Sequence, residues 1–69
     1  MVNFKKLNTT TVEFKGTDNW INKPMSGVIV HFWDFNYYAV YFYDANGNRL
    51  DVCAYSAKTL KDCKNWLTK

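Results

Sequence analysis

The chain reads as an α+β domain: a small antiparallel sheet of three to five strands with one C-terminal helix packed on one face. Three observations predict this. Residues 37–55 hold two runs rich in aromatic and β-branched residues around Asp44-Ala45-Asn46-Gly47-Asn48, the pattern of a β-hairpin. Asn46 and Gly47 tolerate the positive φ that a tight reversal needs. Downstream, Leu60, Cys63 and Leu67 recur on one stripe at helical spacing.

A chain of 69 residues is one domain, spanning 1–69. So short a chain buries barely enough apolar surface to offset its ordering entropy. Its core must be dense, and with 19% aromatic residues it can be, since each ring removes ~150–250 Å² from water.

In chain order, residues 2–7 alternate loosely, with Val2, Phe4 and Lys6 on one side, and are expected to form a short strand. Asn8-Thr9 is a turn candidate. Residues 10–15 alternate more cleanly, Val12 and Phe14 opposing Thr11, Glu13 and Lys15. The two runs form either a hairpin or one long bent strand. Residues 16–27 carry Gly16, Asp18, Asn19, Asn22, Pro24, Ser26 and Gly27, a loop composition. Within that loop Trp20, Ile21 and Met25 either pin it to the core or present a contact site. Residues 28–33 are apolar on both faces apart from His31, which predicts a central strand. Asp34-Phe35-Asn36 is the next turn.

In the hairpin's first strand Tyr37, Ala39, Tyr41 and Tyr43 share a face, and Tyr38, Val40 and Phe42 share the other. In its second, Leu50, Val52 and Ala54 oppose Arg49, Asp51, Cys53 and Tyr55, and the Leu-Val-Ala face is expected to meet the helix. The helix is expected over residues 57–68, capped by Ser56 or Thr59; Thr59 with Asp62 approximates a capping box. Trp66 lies at the edge of its apolar stripe, with Lys58, Lys61, Lys64 and Asn65 opposite.

No catalytic constellation is present in the pattern. There is no Gly-rich phosphate loop and no paired Cys or His spacing for zinc. The acids are scattered, and His31 is the one histidine. A non-enzyme with no cofactor and no metal is the expectation. Two cysteines, Cys53 and Cys63, are too few for a disulfide-stapled secreted scaffold, and they are expected on opposite sides of the sheet. With no signal-peptide pattern and no transmembrane-length apolar run, the expectation is a cytoplasmic protein with reduced thiols.

The aromatic surplus is the most informative feature. A single helix covers only one face of a sheet. The other face is either covered by the N-terminal strands and the Trp20 loop or is an exposed aromatic patch. Tyr and Trp are favoured at protein interfaces because they combine area with a polar handle. Tyr37, Tyr41, Tyr43, Tyr55 and Trp20 are therefore the candidate protein-binding residues. The partner is another protein or a second copy in a homodimer. The expected role is a small binding module of the kind that phages and mobile elements make as inhibitors or adaptors.

The alternative is nucleic acid. The net charge of +3 permits it, and Arg49, Lys58, Lys61 and Lys64 are the candidate phosphate contacts. Over residues 38–66 the chain resembles the AP2-like, arm-type DNA-binding domains of phage and transposon integrases. The resemblance rests on Phe42-Tyr43-Asp44-Ala45-Asn46-Gly47-Asn48-Arg49 and on Thr59-Leu60-Lys61-Asp62. It implies a three-stranded sheet followed by a helix, and DNA binding. That family reads the major groove with a basic sheet face; here the hairpin offers Arg49 among Tyr, Asp and Cys.

Overall fold

The computed structural model describes residues 2–17 and 23–68. Among them, five strands form one sheet: β1 (Val2–Asn8), β2 (Thr11–Thr17), β3 (Pro24–Phe32), β4 (Tyr37–Phe42) and β5 (Tyr55–Ala57). The helix α1 (Leu60–Leu67) closes the chain. The strand order is β1-β2-β3-β4-β5, each strand antiparallel to the next. This meander with one helix on one face is the α+β class that the sequence predicts.

The first two runs form a hairpin, not a bent strand. The Asn8 side-chain oxygen accepts from the backbone N–H of Thr10 at 2.9 Å and from its hydroxyl at 3.0 Å, the local bonding that makes Asn a turn residue. The register shifts between Lys6 and Asn8. Leu7 is the extra residue of a bulge and stays 47% exposed.

The expected loop over residues 16–27 is corrected. β2 runs through Thr17 and β3 starts at Pro24. Gly16 pairs with Met25, and Gly27 with Phe14 and Phe42. Glycine in this stretch signals close packing rather than a turn: Phe14 packs over Gly27. Pro24 opens its strand, where a missing N–H is tolerated. Trp20 and Ile21 fall outside the described residues.

The helix-side face carries Phe4, Val12, Phe14, Met25, Ile29, Tyr38, Val40, Phe42 and Tyr55. Phe14, Ile29 and Val40, with Cys63 and Leu67 from α1, form the buried core. Phe14 meets Phe42 edge-on at 5.6 Å, the geometry that sets a ring's positive edge against a negative face.

The helix is shorter than expected. Ser56 and Ala57 belong to β5, and Thr59 is the cap, its hydroxyl accepting from the Asp62 N–H at 3.1 Å. Cys63 and Leu67 are buried as their spacing predicts, with Leu60 and Trp66 beside them. Lys64 is corrected from the solvated side: its ammonium lies 5.0 Å from the centre of the Phe4 ring, the stem lying along apolar surface.

The second strand of the Tyr-rich hairpin departs most from expectation. Its turn forms where predicted, with Gly47 and not Asn46 taking the positive φ. Gly47 has φ 85, and Asp44 Oδ1 accepts from the N–H groups of Asn46 and Asn48, each at 2.9 Å. Tyr43 then pairs with Arg49, and the Leu50 N–H donates to the Phe42 carbonyl at 2.9 Å. Continuing that register would set Val52 opposite Val40. Tyr55 lies there instead, so three extra residues are accommodated between. An odd insertion reverses which side chains face the helix. Val52 is accordingly 77% exposed, while Leu50, opposite Phe42 ahead of the insertion, is 45% exposed. Tyr55, expected on the far face, turns to the helix and stacks on Trp66 at 4.8 Å and 3°.

Candidate interaction surface

β1 and β2 extend the sheet edgewise, so they do not fold over its helix-free face. Strand alternation and the register bring Lys5, Lys15, Val30, Phe32, Tyr37 and Tyr41 to that face. Tyr37, Tyr41 and Tyr43 share it, as their spacing predicts. Tyr55 does not belong with them, and Trp20 is outside the described residues.

Each tyrosine is held by a neighbour. Tyr37 stacks on Phe32 at 5.1 Å and 16°. The Arg49 guanidinium lies 4.7 Å over the Tyr41 ring, a cation–π contact. The Tyr43 hydroxyl donates to Glu13 Oε2 at 3.4 Å. Burial pushes the Tyr43 hydroxyl pKa up, and the charge of Glu13 and this hydrogen bond push it the same way.

The end of this face is the β3–β4 turn, Trp33-Asp34-Phe35-Asn36. Asn36 takes φ 53, and its N–H donates to the Trp33 carbonyl at 3.3 Å. The turn projects Trp33, 65% exposed, and Phe35, 77% exposed. On the helix side of the sheet His31 stacks on Tyr38 at 4.3 Å and 13° and meets Trp33 at 4.3 Å, so the turn's two exposed rings lean to opposite faces. His31 Nε2 is buried without a hydrogen-bond partner among the described residues. Phe35 leans on Tyr37 at 6.3 Å. Residues His31 to Phe35 line a shallow pocket of about 290 Å³.

Sequence reasoning missed Phe35, and it expected Trp33 among the rings of the far face, whereas Trp33 packs on His31 on the helix side. The signal was present, since a ring at the tip of a four-residue turn projects beyond the sheet that would bury it. Lys5 and Lys15 were also missed, because their face depends on strand register.

The four candidate phosphate contacts are not brought together. Arg49 lies on the helix-free face, beside Tyr41. Lys58 lies between β5 and α1, Lys61 lies on the helix, and Lys64 reaches Phe4 on the helix side.

No group of three or more His, Cys, Asp or Glu residues that could hold a metal ion occurs among the described residues. Both cysteines are free, Cys53 exposed and Cys63 buried. Burial raises the Cys63 thiol pKa first, with Asp62 and Cys53 adding to it and a hydrogen bond from the Ala57 backbone opposing. No helix among the described residues is long and apolar enough to cross a membrane. No protein-family model, curated protein or solved structure matches this chain.

Proposed function

We propose that this protein is a small non-enzymatic binding module that holds another protein through the aromatic tip of the β3–β4 hairpin and the adjoining helix-free face. The observation that carries this is the exposure of Trp33 and Phe35 on a turn braced by two aromatic stacks. Exposed apolar surface gains ~25 cal/mol per Å² when a partner covers it. A ring whose base is already fixed loses little conformational entropy on docking. Trp and Tyr are the residue types that dominate binding energy at interfaces. Arg49 and the three lysines lie on different sides of the sheet, which weighs against a single phosphate track and against nucleic acid as the main ligand.

In this reading the module is an inhibitor or adaptor of the kind encoded by phages and mobile elements. It works in the cytoplasm, where its two free thiols stay reduced.

The test compares the wild type with Trp33→Ala/Phe35→Ala. Both sites are largely exposed, so the double variant keeps the wild-type thermal midpoint within the small effect expected of surface changes. Immobilised wild type should retain a discrete partner in stoichiometric amount, or sediment as a concentration-dependent dimer, and the variant should do neither. A wild type that stays monomeric and retains nothing, or a variant that binds equally well, removes this reading.

A further inference from the structure

We infer that the partner lays an acidic polypeptide segment across the helix-free face, with its apolar anchor at Phe35, where the turn leans on Tyr37. This rests on the protein-binding reading above and specifies the chemistry of the partner. Three cations stand on that face: Lys5 on β1, Lys15 on β2 and Arg49 beside β4. Lys5 is directly opposite Glu13, and Lys15 directly opposite Ser26. Glu13, the carboxylate among them, already accepts the Tyr43 hydroxyl. The surface thus offers an aromatic end and a basic end on one continuous sheet.

Two other occupants fit less well. A single-stranded nucleic acid stacks its bases on open ring faces. On the sheet itself one face of Tyr41 is taken by Arg49 and one face of Tyr37 by Phe32, which leaves open rings only at the turn, in Trp33 and Phe35. A second copy in a two-fold dimer would set each basic end on the other's aromatic end, which leaves the cations without carboxylate partners. An acidic, partly apolar chain satisfies both ends.

The experiment selects a random dodecapeptide display library on the wild-type protein. Selected peptides should be rich in Asp and Glu around one aromatic or aliphatic anchor. Their affinity should fall with added salt. Lys5→Glu/Lys15→Glu/Arg49→Glu should lower it by on the order of tenfold or more, mainly through the association rate. Circular dichroism checks the fold of that variant, and Lys5→Gln/Lys15→Gln/Arg49→Gln serves in its place if the reversed charges unfold it. Peptides that lose binding in Trp33→Ala/Phe35→Ala but are neutral and ignore both charge variants overturn the acidic partner and leave the protein-binding reading standing. Peptides insensitive to every variant, or no peptides at all, remove both. Salt-sensitive binding of a thymidine 20-mer that displaces the selected peptides assigns the face to nucleic acid and overturns the inference.

Discussion

Phe14 occupies the space that a side chain at Gly27 would take. The two residues pair directly across β2 and β3, and a Cβ on Gly27 would stand 2.7 Å from Phe14 Cζ and 2.9 Å from Phe42 Cα. The ring reaches complete burial because the strand beneath it carries no side chain there. Gly27→Ala is therefore expected to cost ~1–3 kcal/mol or more through overpacking. The added Cβ would collide first with the Tyr41 backbone carbonyl oxygen of β4, ahead of the Phe14 ring, and in so small a domain the cost is a large share of total stability. Urea denaturation should show a lower midpoint at unchanged slope. A midpoint equal to wild type would mean that the backbone yields and that Phe14 does not require glycine.

Tyr55 and Trp66 lie parallel at 4.8 Å and tie β5 to the helix. A double-mutant cycle of Tyr55→Ala and Trp66→Ala should give a coupling energy of ~0.5–1.5 kcal/mol. Strict additivity in that cycle would return Tyr55 to the far side of the sheet.

The Thr59 hydroxyl caps the helix through the Asp62 N–H. Thr59→Ala should cost about 1 kcal/mol, and Thr59→Ser should restore most of it. Ser56→Ala, in β5 and exposed, should change stability by less than about 0.5 kcal/mol. Equal losses at both positions would contradict this assignment of the cap.

The Cys63 thiol is held protonated chiefly by burial. Its folded pKa lies above the unfolded value, so the unfolded chain loses this proton first as pH rises. The contribution to stability is complete below about pH 8.5 and is lost as pH climbs through the raised value. Tyr43, raised in the same direction, extends the decline from about pH 10 upward. Cys63→Ala should flatten the first part of this slope while costing some packing everywhere. At neutral pH an aromatic disulfide reagent should titrate Cys53 in the native protein and both thiols only in denaturant. Two native thiols reacting at equal rates would show that Cys63 is not sealed.

What the sequence by itself determined is local. Strand alternation placed Val12 and Phe14 together, and Tyr37, Tyr41 and Tyr43 together, because successive side chains on a strand must point to opposite faces. Helical spacing put Leu60, Cys63 and Leu67 on the buried stripe, and Thr59 ahead of Asp62 marked the cap. Asn46-Gly47 named the turn because few residues accept its backbone angles. Tertiary structure decided what depends on counting across an irregularity. Three extra residues between Leu50 and Tyr55 reversed the parity, sending Tyr55 to the core and Val52 to solvent. Gly16 and Gly27 looked like loop residues until Phe14 supplied the ring that covers Gly27. The separation of Arg49 from Lys58, Lys61 and Lys64, and its sharing a face with Lys5 and Lys15, follow from strand order and register. Those are chosen by which side chains fill one shared core, a competition among residues far apart in the chain that no local pattern records.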